Sequence, residues 1–279
     1  MLFSYKEFIE ILNSKIKNGK EFYIELLKKI IDNPNRYCST FRLASSKTKL
    51  IQNITQSQEI KFGDFLEDIT TKYIEKLGYL NLNKDLGKDN EGNILKADQI
   101  FTDNENKKIY LVEQKVRDDH DSTKKRGQFQ NFNKKISFFK NKFPEMHLTA
   151  IIWFVDNQLI KNKNYYLNEI KKISAEYKDI EIHLYYGKDF FKSIKNGLLV
   201  WNEIVEYLTK ARKQNSSIEL KIPDFAKSNE IYEALINLPD IYWNKLNSDK
   251  YKNVREEFFL NGPNLEKAKM ARNKRNKNE

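Results

Sequence analysis

The chain has 279 residues, of which 32% are charged and 39% hydrophobic, with a formal net charge of +11 and a sequence pI near 9.3. That balance is enough to bury a core and favours a polyanionic partner, while one cysteine and three scattered histidines exclude an internal disulfide and a cysteine-rich zinc module. No membrane-length apolar run, signal-peptide pattern or Walker A loop is found, so the expectation is a cytoplasmic protein that neither spans a membrane nor uses ATP.

Residues 1 to about 35 read as one or two helices ended by Pro34. Residues 36–54 are polar and basic, and Arg42, Lys47, Lys49 and Gln52 are candidate nucleic-acid contacts without a recognisable motif. Glu59 to Tyr79 predicts an amphipathic helix, with Phe62, Phe65, Leu66, Ile69, Tyr73 and Leu77 at helical spacing and Gly78 as its C-terminal stop. Ile94–Phe101 and Lys108–Val116 read as two strands rich in β-branched and aromatic residues, joined by turn chemistry from Thr102 to Lys107.

The joined strands hold the most informative residues. A turn centred on Glu105 and Asn106 pairs Phe101 with Tyr110 and Ile100 with Leu111, and so sets Asp98 opposite Glu113. Because side chains alternate faces, Ile109, Leu111, Glu113 and Lys115 share one face, and Asp98 joins them across the ladder. A Glu-x-Lys triplet alone says little, since the chain holds five others, at Glu59, Glu105, Glu169, Glu176 and Glu219. Placement beside Asp98 separates Glu113-Gln114-Lys115 from them. Two carboxylates facing each other destabilise a sheet unless a cation neutralises them, and Mg²⁺ is a hard cation that takes such oxygens together with water and phosphate oxygens. There it can acidify a water and offset charge on a phosphoryl transition state while the lysine orients the attacking water. A solvated hairpin with a surface Glu/Lys pair is the plainer alternative.

Asp98 followed by Glu113-x-Lys115 resembles the PD-(D/E)xK nuclease superfamily, and the chain as a whole resembles a type II restriction endonuclease. Ala97 stands where the name-giving proline would be, at a position that varies widely in the superfamily. The resemblance implies Asp98 and Glu113 as metal ligands, the Gln114 backbone carbonyl as a third, and Lys115 as the catalytic lysine. It also implies a helix before the hairpin, matched here by Gly63, Leu66 and Glu67, with Glu67 as third carboxylate candidate and Glu59 as its competitor. Arg117–Gln128 reads as a polar loop leading into a helix from about Gln128 to Lys142. Residues 115–142 carry nine Lys/Arg against three Asp, beside the proposed metal, where phosphates need countercharge. Ser122, Thr123, Lys124, Lys125, Arg126 and Gln128 are therefore the DNA-contact candidates, with arginine and glutamine capable of bidentate base readout. His120 lies close by but lacks the partners a histidine-based chemistry needs.

Further along, His147–Val155 predicts a strand buried on both faces, Tyr166–Tyr177 a helix, Ile180–Tyr186 a strand, Asp189–Lys195 a short helix and Leu198–Lys213 an amphipathic helix. Ser217–Ile222 reads as an edge strand, an aromatic helical segment follows, and Lys267–Lys277 reads as a basic tail or frayed helix. The expected fold is α/β, a restriction-endonuclease-like mixed sheet flanked by helices, in one domain with its core at about residues 55–215 and helical or basic additions at 1–54 and 216–279. The resemblance implies Mg²⁺-dependent cleavage of double-stranded DNA at a short site, a homodimer and a cognate DNA methyltransferase. A junction resolvase and a non-catalytic nucleic-acid-binding protein are the alternatives.

Overall fold

The computed structural model describes residues 1–16, 20–41, 43–89, 91–118, 121–214 and 223–275. Two compact units emerge, one formed by Met1–Lys15 with Lys61–Gln214 and the other by Ile16–Ile60 with Asn215–Glu279.

The first unit contains a five-stranded mixed sheet in the order β1 (Leu80–Asn81), β4 (Gln99–Asp103), β5 (Lys108–Lys115), β6 (His147–Phe154), β7 (Glu181–Tyr186). β4 pairs antiparallel with β1 on one side and with β5 on the other, the second because a short turn joins β4 to β5. β5, β6 and β7 are parallel, because α5 (Ser122–Lys142) and α6 (Lys163–Glu176) carry the chain back between them. The β4–β5 register pairs Phe101 with Tyr110 and Ile100 with Leu111, as the turn chemistry predicts. β6 is buried at every position after His147, as its unbroken apolar run requires of a central strand. One sheet face, made by Ile100, Ile109, Leu111, Leu148, Ala150 and Ile152, packs on Phe129, Phe132, Ile136 and Phe139 of α5 and on Tyr166, Ile170 and Ile173 of α6. On the opposite face, Trp153 donates its indole N–H to Gly187 O and meets Phe190 and Phe191 of α7 (Asp189–Lys192). Helices α1 (Tyr5–Ile16), α4 (Ser46–Lys76) and α8 (Gly197–Gln214) meet through buried rings, with Phe8 edge-on to Phe65 and Tyr207, and Tyr73 hydrogen-bonded to Glu203.

The helix expected from Glu59 begins thirteen residues earlier, at Ser46, and its first half belongs to the second unit. Its end is where the sequence places it: Gly78 adopts φ +91°, a conformation open to glycine, and lets the Tyr79 N–H reach Ile74 O. The single strand expected over Ile94–Phe101 is instead two. Ile94–Lys96 (β3) pairs with Asp85–Lys88 (β2) in a separate hairpin, and Ala97-Asp98 is the crossing point to β4. The break arises because the Ala97 N–H bonds Lys84 O and Asp98 offers the next strand its side chain instead of its backbone.

The second unit is helical: α2 (Lys20–Asp32), α3 (Pro34–Cys38), the first half of α4, α9 (Asn229–Ile236), α10 (Asp240–Asn247), α11 (Lys252–Phe259) and α12 (Asn264–Arg275). Leu27, Ile30, Ile31, Leu50, Ile54, Leu235 and Val254 form its core. The C-terminal basic segment, through Arg275, is a packed helix and not a tail. Its Arg272 is spent inside the fold, donating to the carbonyls of Leu235, Ile236 and Leu238 at the end of α9, pairing with Asp240 and covering Trp243. A cation there satisfies the orphan carbonyls of a helix end. The edge strand expected at Ser217–Ile222 lies outside the described residues, as do Lys277 and the candidate contact Arg42. No described helix is long and apolar enough to cross a membrane.

Candidate active site

The register that pairs Gln99 with Val112 leaves Asp98 one step beyond the ladder, facing Glu113. Its Oδ2 accepts the Gln114 N–H at 2.7 Å. The Lys115 ammonium stands 3.2 Å from Glu113 Oε2 and 4.0 Å from Asp98 Oδ2, so one lysine touches both acids. In a strand, N–H and C=O of one residue leave by the same edge. Lys115 O takes the Val155 N–H on the β6 edge, and by alternation the Gln114 carbonyl leaves on the edge where Asp98 stands. Asp98, Glu113, Lys115 and the Gln114 carbonyl thus converge.

A second lysine completes the group. Lys135 of α5 is 3% exposed and forms an ion pair with Glu113 Oε1, leaving Oε2 to Lys115. A basic residue count over 115–142 hides it among solvated lysines. The signal that could have found it is positional, since Lys135 falls between Phe132 and Phe139 on the buried stripe of the helix. An ammonium there needs a buried partner. Two carboxylates now face two ammonium groups.

That balance sets the protonation of each acid. Burial works against the Glu113 carboxylate, but Lys115 and Lys135 outweigh it and hold its pKa below the ordinary value. Burial pushes Asp98 up to about 6, the Glu113 charge adds to the rise, Lys115 opposes it, and Glu67 raises it a little further. Asp98 therefore binds its proton more tightly in the folded chain than in the unfolded one. The metal-free protein should lose stability as pH rises from about 4 to about 6, where the folded state must give that proton up. Thermal melts in chelator across this range, compared with Asp98→Asn, should show the wild type falling relative to the variant; parallel curves would refute the assignment.

Helix α4 reaches this end of the sheet through Gly63 and Glu67. A Cβ on Gly63 would sit 3.3 Å from Val116, so the close approach of helix and strand suits glycine. Gln99 donates its amide to Glu67 O at 2.7 Å, tying the start of β4 to the helix. The Glu67 carboxylate is paired with Lys84 at 2.8 Å, and its charge is felt at Asp98. Glu59 lies in the half of α4 that belongs to the second unit and is exposed. Among the described residues no three His, Cys, Asp or Glu side chains gather tightly enough to hold a metal. The close pair is Asp98 and Glu113.

The expected loop from Arg117 to Gln128 is mostly helix. α5 begins at Ser122, because the Asp121 side chain accepts the Lys124 N–H at 2.8 Å and caps it. Gly127, which reads as a loop residue, sits inside the second turn. Ser122, Thr123, Lys124 and Arg126 are exposed there. Lys125 is held by Asn162 Oδ1 at 3.0 Å and lies over the Tyr165 ring, and Gln128 accepts the Tyr166 hydroxyl at 3.3 Å. Those two are committed to internal contacts. Asp118 is buried and takes the Asn162 backbone N–H and side-chain amide. His120 lies outside the described residues.

Two stretches, residues 4–94 and 76–212, match the family model of the type II restriction endonuclease HinfI. The chain belongs to this family. It is a restriction endonuclease, a nuclease that acts on DNA in a sequence-specific manner. No curated protein matches the chain. The stretches matched by the HinfI model include Glu67, Asp98, Glu113, Lys115 and Lys135.

Proposed function

We propose that this member of the HinfI family hydrolyses double-stranded DNA at a short site with Mg²⁺ held by Asp98, Glu113 and the Gln114 carbonyl. The observation that carries the reading is the Lys115 ammonium lying near two carboxylates, Glu113 on β5 and Asp98 just before β4. The donor set fits a hard divalent cation, which takes one or two carboxylates and fills its octahedron with water and phosphate oxygens. When bound, Mg²⁺ supplies Lewis acidity and countercharge to the scissile phosphate.

The chain's own groups do the remaining work. Asp98, kept in place by the Gln114 N–H, presents its carboxylate beside Lys115 at the end of β5. Lys135 holds one Glu113 oxygen, so Glu113 offers the other toward Lys115 and the substrate. Lys115 orients the attacking water and stabilises charge on the phosphate. Glu67 lies within electrostatic reach as a candidate for tuning the pair, and the exposed Ser122, Thr123, Lys124 and Arg126 offer phosphate or base contacts, with Lys125 and Gln128 shaping the surface behind them. Cutting both strands of a short site calls for two such centres, which supports a twofold homodimer, and a host that carries the enzyme needs a methyltransferase of matching specificity.

Plasmid digestion tests this reading. With Mg²⁺ the protein should give discrete fragments, and with EDTA none. A smear, cleavage confined to branched substrates, or undiminished cutting in EDTA would each reject it.

A further inference from the structure

The second unit carries a surface that the catalytic site does not use. Residues 33–58 contain Arg36, Arg42, Lys47 and Lys49 and no Asp or Glu, in a chain where those two types make up 39 of 279 residues. Within this stretch, in the loop between α3 and α4, Phe41 and Leu43 are 99% and 108% exposed. Both ends of that loop are anchored: Tyr37 is buried and bonded to Asn53, and Ser46 is buried and bonded to Glu257. The Ser45 hydroxyl accepts the Thr48 N–H and so caps the first turn of α4. Two large apolar side chains are thereby exposed to water in a loop anchored at both ends, with exposed Arg36 and Lys47 on either side in sequence and no acid in the flanking sequence.

We propose that this loop is a DNA-docking element, in which Arg36, Lys47 and Lys49 meet phosphates while Phe41 and Leu43 press against the bases in a groove. The inference rests on the chain being a DNA-cutting enzyme of the HinfI family. Fully exposed phenylalanine and leucine add nothing to folding, since folding removes none of their surface from water. Placed on a cationic rim they have the chemistry of the apolar wedges that DNA-bending proteins insert between base steps and of the contacts that read thymine methyl groups. The stretch offers phosphates basic side chains and no acid of its own, which favours a polyanion over a protein partner, and Glu257, the acid at its anchor, is bonded to the Ser46 hydroxyl.

The test uses the full chain and a duplex that the wild-type protein selects from a random-sequence pool in the absence of cleavage, with a scrambled duplex as control. Phe41→Ala/Leu43→Ala should bind the selected duplex on the order of tenfold more weakly, bind the scrambled duplex as before, keep the salt dependence of binding and melt at the wild-type temperature. Lys47→Ala/Lys49→Ala should weaken both duplexes and lower the slope of log K against log salt by roughly two. Wild-type discrimination between duplexes by Phe41→Ala/Leu43→Ala would overturn the proposal. So would a variant whose sole change is loss of self-association in sedimentation, since a second copy would then be what covers the loop, and so would failure of the wild type to select any sequence. Failure to cut plasmid, with selection intact, would instead count against the catalytic reading.

Discussion

In Lys115→Ala, plasmid cleavage at saturating Mg²⁺ should slow by about 10²- to 10³-fold, the range expected when one preorganised charge at a developing oxyanion is lost, with duplex affinity retained. The Lys115 ammonium lies 3.2 Å from Glu113 and 4.0 Å from Asp98, and it is held charged there because the two carboxylates together outweigh its burial. Its removal leaves Glu113 still paired with Lys135, so the fold keeps its central ion pair. The measurement is an initial-rate assay beside an anisotropy titration in chelator. Wild-type cleavage in this variant would end the proposed mechanism, and loss of duplex binding alone would reassign Lys115 to substrate affinity.

Glu113→Ala should behave differently, losing stability as well as cleavage. Glu113 is buried between two ammonium groups, and truncating it strands Lys135, which is 3% exposed, without its counterion. Breaking a buried pair by removing one partner costs about 3–5 kcal/mol, which in a chain of this size lowers the melting temperature on the order of 10 °C. Adding Lys135→Met to Glu113→Ala removes the stranded charge and keeps the aliphatic bulk between Phe132 and Phe139. Stability should recover in large part and cleavage should not. If the double variant melts no higher than Glu113→Ala, Lys135 is not held in the fold by Glu113.

These two experiments separate the parts of the centre that were legible in the residues from the part that was not. Sequence alone places Asp98, Glu113 and Lys115 together, because a short turn sets the register of an antiparallel pair and side chains alternate with period two. The same local rules held for the buried run of β6 and for Gly78 at the end of α4. Reading Ile94–Phe101 as one strand failed at Asp98, whose carboxylate takes the Gln114 N–H and ends the backbone ladder. α5 starts six residues before the expected Gln128, although Asp121, three residues before Lys124, is a readable N-cap.

Composition, register and the family resemblance depend on neighbours in the chain or on a pattern short enough to read along it. Those were enough for the mixed α/β sheet, the acid pair and its lysine. Lys135 reaches Glu113 from 22 positions away in sequence, and Arg272 reaches the end of α9 from more than 30. The division of the chain into two units, with residues 16–60 joined to the C-terminal helices, likewise comes from contacts between distant segments. A lysine or an arginine looks the same in sequence whether it ends in water or in a core. Where the charge goes is decided by which helix face meets the sheet, since burial makes an unpaired ammonium costly and a well-placed carboxylate or helix end accepts it.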